Sequence, residues 1–183
     1  MEEAPKSEKK KLASEEARSF EGNAWPPLPN DIESIDKGES ALRERLHKDT
    51  SLNEDDVDTI CLAFREVLIN AIVHGNLGLQ GENVSTERIL EERKELRESD
   101  QPEKYVTVRL EVTKEVIRII VKDEGAGFDW RNLPDPADSE NILKTAGRGI
   151  FLAHTYFDSV DFNEKGNEVT MIKNLHPESG EKT

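Results

Sequence analysis

Apolar residues recur at steps of three and four between Val57 and Ile72, and Val57, Ile60, Cys61, Phe64, Val67, Leu68, Ala71 and Ile72 form one stripe. That spacing predicts an amphipathic helix. Asn53 is its natural N-cap, and Glu54-Asp55-Asp56 sets acidic groups at the positive end of the helix dipole. His74-Gly75-Asn76 supplies a stop. Upstream, Asn30 reads as the N-cap of a helix to about His47, with Ile32, Ile35, Leu42 and Leu46 inward and Gly38 as a weak point. The segment Trp25–Asn30, WPPLPN, is extended because its three prolines remove donors and restrict their neighbours. Ser19–Ala24 before it reads as a short edge strand.

Further on the period changes from 3.6 to 2. YVTVRLEV and VIRIIVKD alternate, are rich in β-branched residues and flank the turn Thr113-Lys114-Glu115, which predicts a hairpin. SVDFNE and EVTMIKNL predict a second hairpin, turning at Lys165-Gly166-Asn167, with a short apolar helix (Ile150–Phe157) before it. Residues 77–84 read as a glycine-punctuated loop. Ser85–Lys104 carries twelve charged residues in twenty and reads as an exposed helix capped by Ser85 or Thr86. The expected fold is α/β in the α+β sense: a two-layer sandwich with helices on one face of a mixed, mostly antiparallel sheet. Residues 1–18 read as a disordered or loosely helical tail and 176–183 as a polar tail, around a domain spanning 19–175.

Composition narrows the function. The 25 Lys and Arg stand against 39 Asp and Glu, for a net charge of −14, which argues against a nucleic-acid surface. No apolar run is long enough for a membrane span, and the N-terminus lacks an apolar signal region. The single cysteine, Cys61, permits no internal disulfide and lies on the apolar stripe. The expectation is a cytoplasmic protein. Trp25 and Trp130 read as packing residues, and the four scattered histidines do not suggest a zinc site.

Three segments suggest chemistry. In Glu66–Asn76, the residues Glu66, Asn70 and His74 are spaced by four and form a ridge beside the apolar stripe. Glu66 and Asn70 offer a base and an oxygen ligand of the kind a Mg-nucleotide site needs. In Asp123–Gly127, directly after a strand, a carboxylate that can accept from an exocyclic amine precedes two glycines that let backbone approach a ligand. In Gly147-Arg148-Gly149, a glycine-rich turn opens a helix, where amides and a guanidinium bind phosphate. Each alone has an ordinary alternative: a solvated ridge, a tight turn, a helix-starting turn.

In this order the three segments resemble the GHKL superfamily of ATP-binding domains, and most closely the bacterial anti-sigma-factor serine/threonine kinases. Glu66–Asn76 is similar to the N-box, Asp123–Gly127 to the first glycine box, Gly147–Gly149 to the second, and GNEVTMIK to the closing hairpin, over roughly residues 28–175. The resemblance implies the Bergerat-type ATP-binding fold, with Glu66 as general base and Asn70 as Mg²⁺ ligand. It also implies that Asp123, Gly125 and Gly127 hold adenine, and that Gly147, Arg148 and Gly149 meet the phosphates under a lid over 129–146. Asn167 stands where the family often has threonine near the adenine. The implied partners are a STAS-type anti-anti-sigma protein, which would be phosphorylated, and a sigma factor bound to a homodimer. The alternative is a non-catalytic, ATP-dependent binding module. The stretch 80–104 is longer than the family's usual connection and reads as a solvated helix, with a partner-docking element as the alternative.

Overall fold

The computed structural model describes residues 24–81, 84–132 and 148–175. The expected tails at 1–18 and 176–183, and most of the 129–146 segment, lie outside the described residues. Helix α1 spans Ile32–Asp49, and α2 spans Glu54–Ile69 and continues as a π-helical turn, Asn70–Asn76. Helix α3 is Thr86–Glu98, and strands β1 (Thr107–Val112) and β2 (Val116–Lys122) follow it. After a 3₁₀ turn at Trp130–Asn132 come α4 (Arg148–Tyr156), β3 (Ser159–Phe162) and β4 (Glu168–Asn174).

The strands form one sheet in the order β1-β2-β4-β3, and every pairing is antiparallel. The expected mixed sheet is therefore purely antiparallel among the described strands. Ala24 and Leu28 bridge to Arg109 and Val106, so the proline-rich segment runs along the outer edge of β1. That is where proline is tolerated, since its missing N–H faces away from the ladder. Of Ser19–Ala24, only Ala24 lies among the described residues.

Alternation decides the two faces of the sheet. Val108, Leu110, Ile117, Ile119, Val121, Val169 and Met171 turn inward and join Leu42, Leu46, Ile60, Phe64, Leu68 and Ile72 in one core. The opposite face carries cross-strand ion pairs, Glu111 with Arg118 at 3.2 Å and Glu168 with Arg109 and Lys122 at 3.6 Å. Cys61 is fully buried, and burial pushes its thiol up to about 11. Trp25 packs edge-on to Phe64, and Trp130 stacks on Phe162.

Three local expectations need correction. The N-cap of α1 is Asp31, whose carboxylate accepts the Ser34 N–H at 2.8 Å. Asn30 is buried instead and donates to the Lys104 carbonyl at 2.7 Å. Gly38 is where α1 meets α2, because a Cβ there would lie 2.7 Å from Leu68 Cδ1. Its helix-propensity cost, about 1 kcal/mol, is offset by that close packing. The winding ends within the expected His74-Gly75-Asn76, but its last turn is π-helical and not α-helical. The chain stays wound through Asn76 and leaves at Gly78, which takes φ +67°.

Candidate nucleotide site

The site is built around the end of α2. Glu66 and Asn70 lie one turn apart, and the Asn70 N–H donates to the Glu66 and Val67 carbonyls. Past Asn70 the winding widens, and the Leu77 N–H reaches back to the Ile72 carbonyl at 2.9 Å. His74 is exposed, with Nδ1 2.7 Å from the Leu79 carbonyl. Gly75 takes the place facing the sheet: a Cβ on it would lie 2.5 Å from Asp123 Cγ.

Asp123 directly follows β2, so the strand end delivers its carboxylate to the π turn. Oδ1 accepts the Gly125 N–H at 2.8 Å, and no hydrogen bond from another described residue reaches Oδ2. Gly125 has no room for a side chain, since a Cβ would lie 2.1 Å from the Gly75 carbonyl oxygen. Gly127 then turns the chain at φ +78°, beside the Lys165 carbonyl. The Lys165 ammonium donates to the Gly125 carbonyl at 2.8 Å, so the β3–β4 turn holds the loop from the other side.

Asn167 belongs to this cluster, with its amide groups turned to protein. Nδ2 donates to the Asp123 carbonyl at 2.7 Å, and Oδ1 accepts from Asn163 at 3.0 Å. The second cluster forms where α4 begins. A Cβ on Gly149 would lie 2.7 Å from Asn70 Nδ2 and 3.1 Å from Glu66 Cβ, so α4 starts directly against the Glu66–Asn70 ridge. Gly147 and residues 133–146 lie outside the described residues, and of Arg148 only its place as the first residue of α4 is described. Sequence reasoning missed Gly75, Asn76 and Lys165. For Gly75 and Asn76 the available signal was small and polar residues continuing an apolar helical run.

The electrostatics differ between the two clusters. Burial pushes the Asp123 carboxyl above its ordinary value, against the opposing effects of the Gly125 N–H and the Lys165 ammonium. Glu66 is half-buried, and its carboxylate forms no hydrogen bond or ion pair among the described residues. One nearly buried carboxylate, held by a single amide and open at its second oxygen, suits the exocyclic amine of adenine. Glycines at 75, 125 and 149 let the π turn close onto Asp123 and α4 close onto Glu66 and Asn70, and this set of polar groups fits a nucleotide.

Comparison with known families agrees with this geometry. Residues 28–173 match the histidine kinase-like ATPase domain, and the chain belongs to that family of ATP-binding domains. No curated protein matches the sequence significantly. Among the described residues, no helix is long and apolar enough to cross a membrane.

Proposed function

We propose that the protein is a Mg-ATP-dependent serine/threonine kinase of the anti-sigma-factor type, acting on a STAS-type anti-anti-sigma protein in a partner-switching system. The observation that carries the transfer reading is Glu66: a carboxylate without a protein partner among the described residues, one turn from Asn70 and against the start of α4. A module that only binds ATP has no physical need for a base there. Glu66 takes the proton from the incoming hydroxyl as its oxygen bonds to the γ-phosphorus and the bond from that phosphorus to the β–γ bridging oxygen breaks, releasing ADP. Asp123 receives the adenine amine, and Gly125 and Gly127 let the loop pack against Gly75 and Lys165 so that its backbone borders the base. Gly147, Arg148 and Gly149 meet the phosphates, with 129–146 as the lid of a domain spanning 19–175.

Asn70 is the residue placed to hold Mg²⁺. The described residues contain no group of three or more His, Cys, Asp or Glu side chains suited to a metal. That suits Mg²⁺, which is commonly held by one or two protein oxygens together with phosphates and waters. When bound, the ion supplies charge neutralisation on the phosphates. Asn70→Ala is expected to leave metal-free nucleotide affinity within about twofold while removing most of the extra affinity that Mg²⁺ confers. Calorimetric titrations with and without Mg²⁺ check this, and equal weakening in both would show that Asn70 is not the ligand.

The activity itself is tested by incubating the protein with γ-labelled ATP and STAS proteins encoded nearby. Label on a serine or threonine of one of them is the expected result. ATP-dependent binding of such a partner with no label transferred would favour the non-catalytic module. A sigma factor held by a homodimer completes the proposed cycle, in the cytoplasm.

A further inference from the structure

The peptide unit joining Asp123 to Glu124 is gripped at both ends by asparagine side chains. Its carbonyl accepts from Asn167 Nδ2 at 2.7 Å, and its N–H donates to Asn76 Oδ1 at 2.7 Å. The unit is planar and stiff, so fixing both groups fixes the plate and the Cα that bears the Asp123 carboxylate. The Asp123 N–H is held as well, by the Asn167 carbonyl at 3.0 Å. Asn76 is itself anchored, with only 2% of its surface exposed. Its Nδ2 donates to Asn30 Oδ1 at 2.8 Å, and its carbonyl receives the Lys104 ammonium at 3.2 Å. Asn30 in turn donates to the Lys104 carbonyl.

We propose that Asn76 is a positioning residue for adenine recognition, holding the Asp123–Glu124 peptide so that the carboxylate meets the base at the right angle. The proposal rests on the reading of Asp123 as the adenine acceptor. Asn76 touches no substrate in it. Its side chain ties the loop to the π turn, and Lys104 after α3 and Asn30 before α1 brace it from behind. A hydrogen bond to a charged acceptor is steep in angle and distance, so a small rotation of the plate weakens the amine contact selectively. The triphosphate contacts read at Glu66, Asn70 and α4 involve neither the Asn76 side chain nor the Asp123–Glu124 peptide it holds, so they are expected to persist.

The test compares ATP with purine riboside triphosphate, which lacks only the 6-amine. Asn76→Ala is expected to weaken ATP by about tenfold while leaving the amine-free analogue within about twofold. Asn30→Ala, which frees the amide of Asn76, is expected to give a smaller loss in the same direction. Equal weakening of both nucleotides would assign Asn76 a merely structural role and overturn the proposal. Should Asn76→Ala fail to fold, Asn30→Ala decides by the same ratio, together with amide exchange at Glu124, expected to quicken. An unchanged ratio in Asn30→Ala, despite quicker exchange, overturns the proposal. Failure of the underlying reading looks different, because unmodified protein would then bind both nucleotides alike.

Discussion

Glu66→Gln is expected to lower phosphotransfer by about 10²–10⁴-fold, the usual contribution of a general base. Glutamine matches glutamate in size, so the contact of the side chain with Gly149 and the start of α4 is kept. What is lost is the capacity to take a proton from the attacking hydroxyl. An interaction made only as the proton moves contributes little to ground-state binding, so ATP affinity should stay within a few-fold. Single-turnover transfer to the STAS partner, measured beside calorimetric ATP binding, separates the two effects. Transfer at the unmodified rate would remove Glu66 from the base role. Parallel loss of binding and transfer would make it a ground-state contact.

Asp123→Asn is expected to weaken ATP by about ten- to a hundred-fold, the equivalent of one charge-assisted hydrogen bond. If asparagine keeps its oxygen on the Gly125 N–H, its NH₂ faces the adenine amine, and two donors oppose each other. If it flips, the same conflict falls on Gly125. Stability should move the other way. Burial raises the Asp123 carboxyl in the folded chain, so its ionised form is disfavoured there. The contribution of this group to stability is therefore greatest below the ordinary carboxylate value, and it is lost as pH rises through the raised one. At neutral pH the substitution removes that cost, and thermal unfolding should show Tm unchanged or higher. The pH dependence of ATP binding in unmodified protein has the opposite slope, weakening as pH falls through the raised value and the acceptor is protonated. A variant that loses stability and keeps ATP affinity would contradict both statements.

The central helix and the hairpins were legible because their signals are local. The stripe from Val57 to Ile72, the Asn53 cap and the alternation in VIRIIVKD each lie within a few residues and match α2 and β2 as they stand. The cap of α1 was not, because Asn30 and Asp31 are adjacent and both suit the position. Contacts with Lys104 and Asn76, far away in sequence, decide between them. The end of the winding at Asn76 falls within the expected stop, but the π turn that precedes it has no signature in hydrophobic spacing, and neither has the close approach of Gly75 to the Asp123 carboxylate. Candidate residues on the motifs are legible because each motif is a short run of chain. The side chains that aim them, Asn76 and Lys165, act through backbone contacts between distant segments, which no local pattern records.

The most direct measurement is a calorimetric titration of ATP and of purine riboside triphosphate into the unmodified protein at neutral pH. With Asp123 receiving the adenine amine, ATP should bind about ten- to a hundred-fold more tightly, since the analogue leaves a largely buried carboxylate oxygen without its donor. Equal affinities would contradict the assignment of this pocket to adenine.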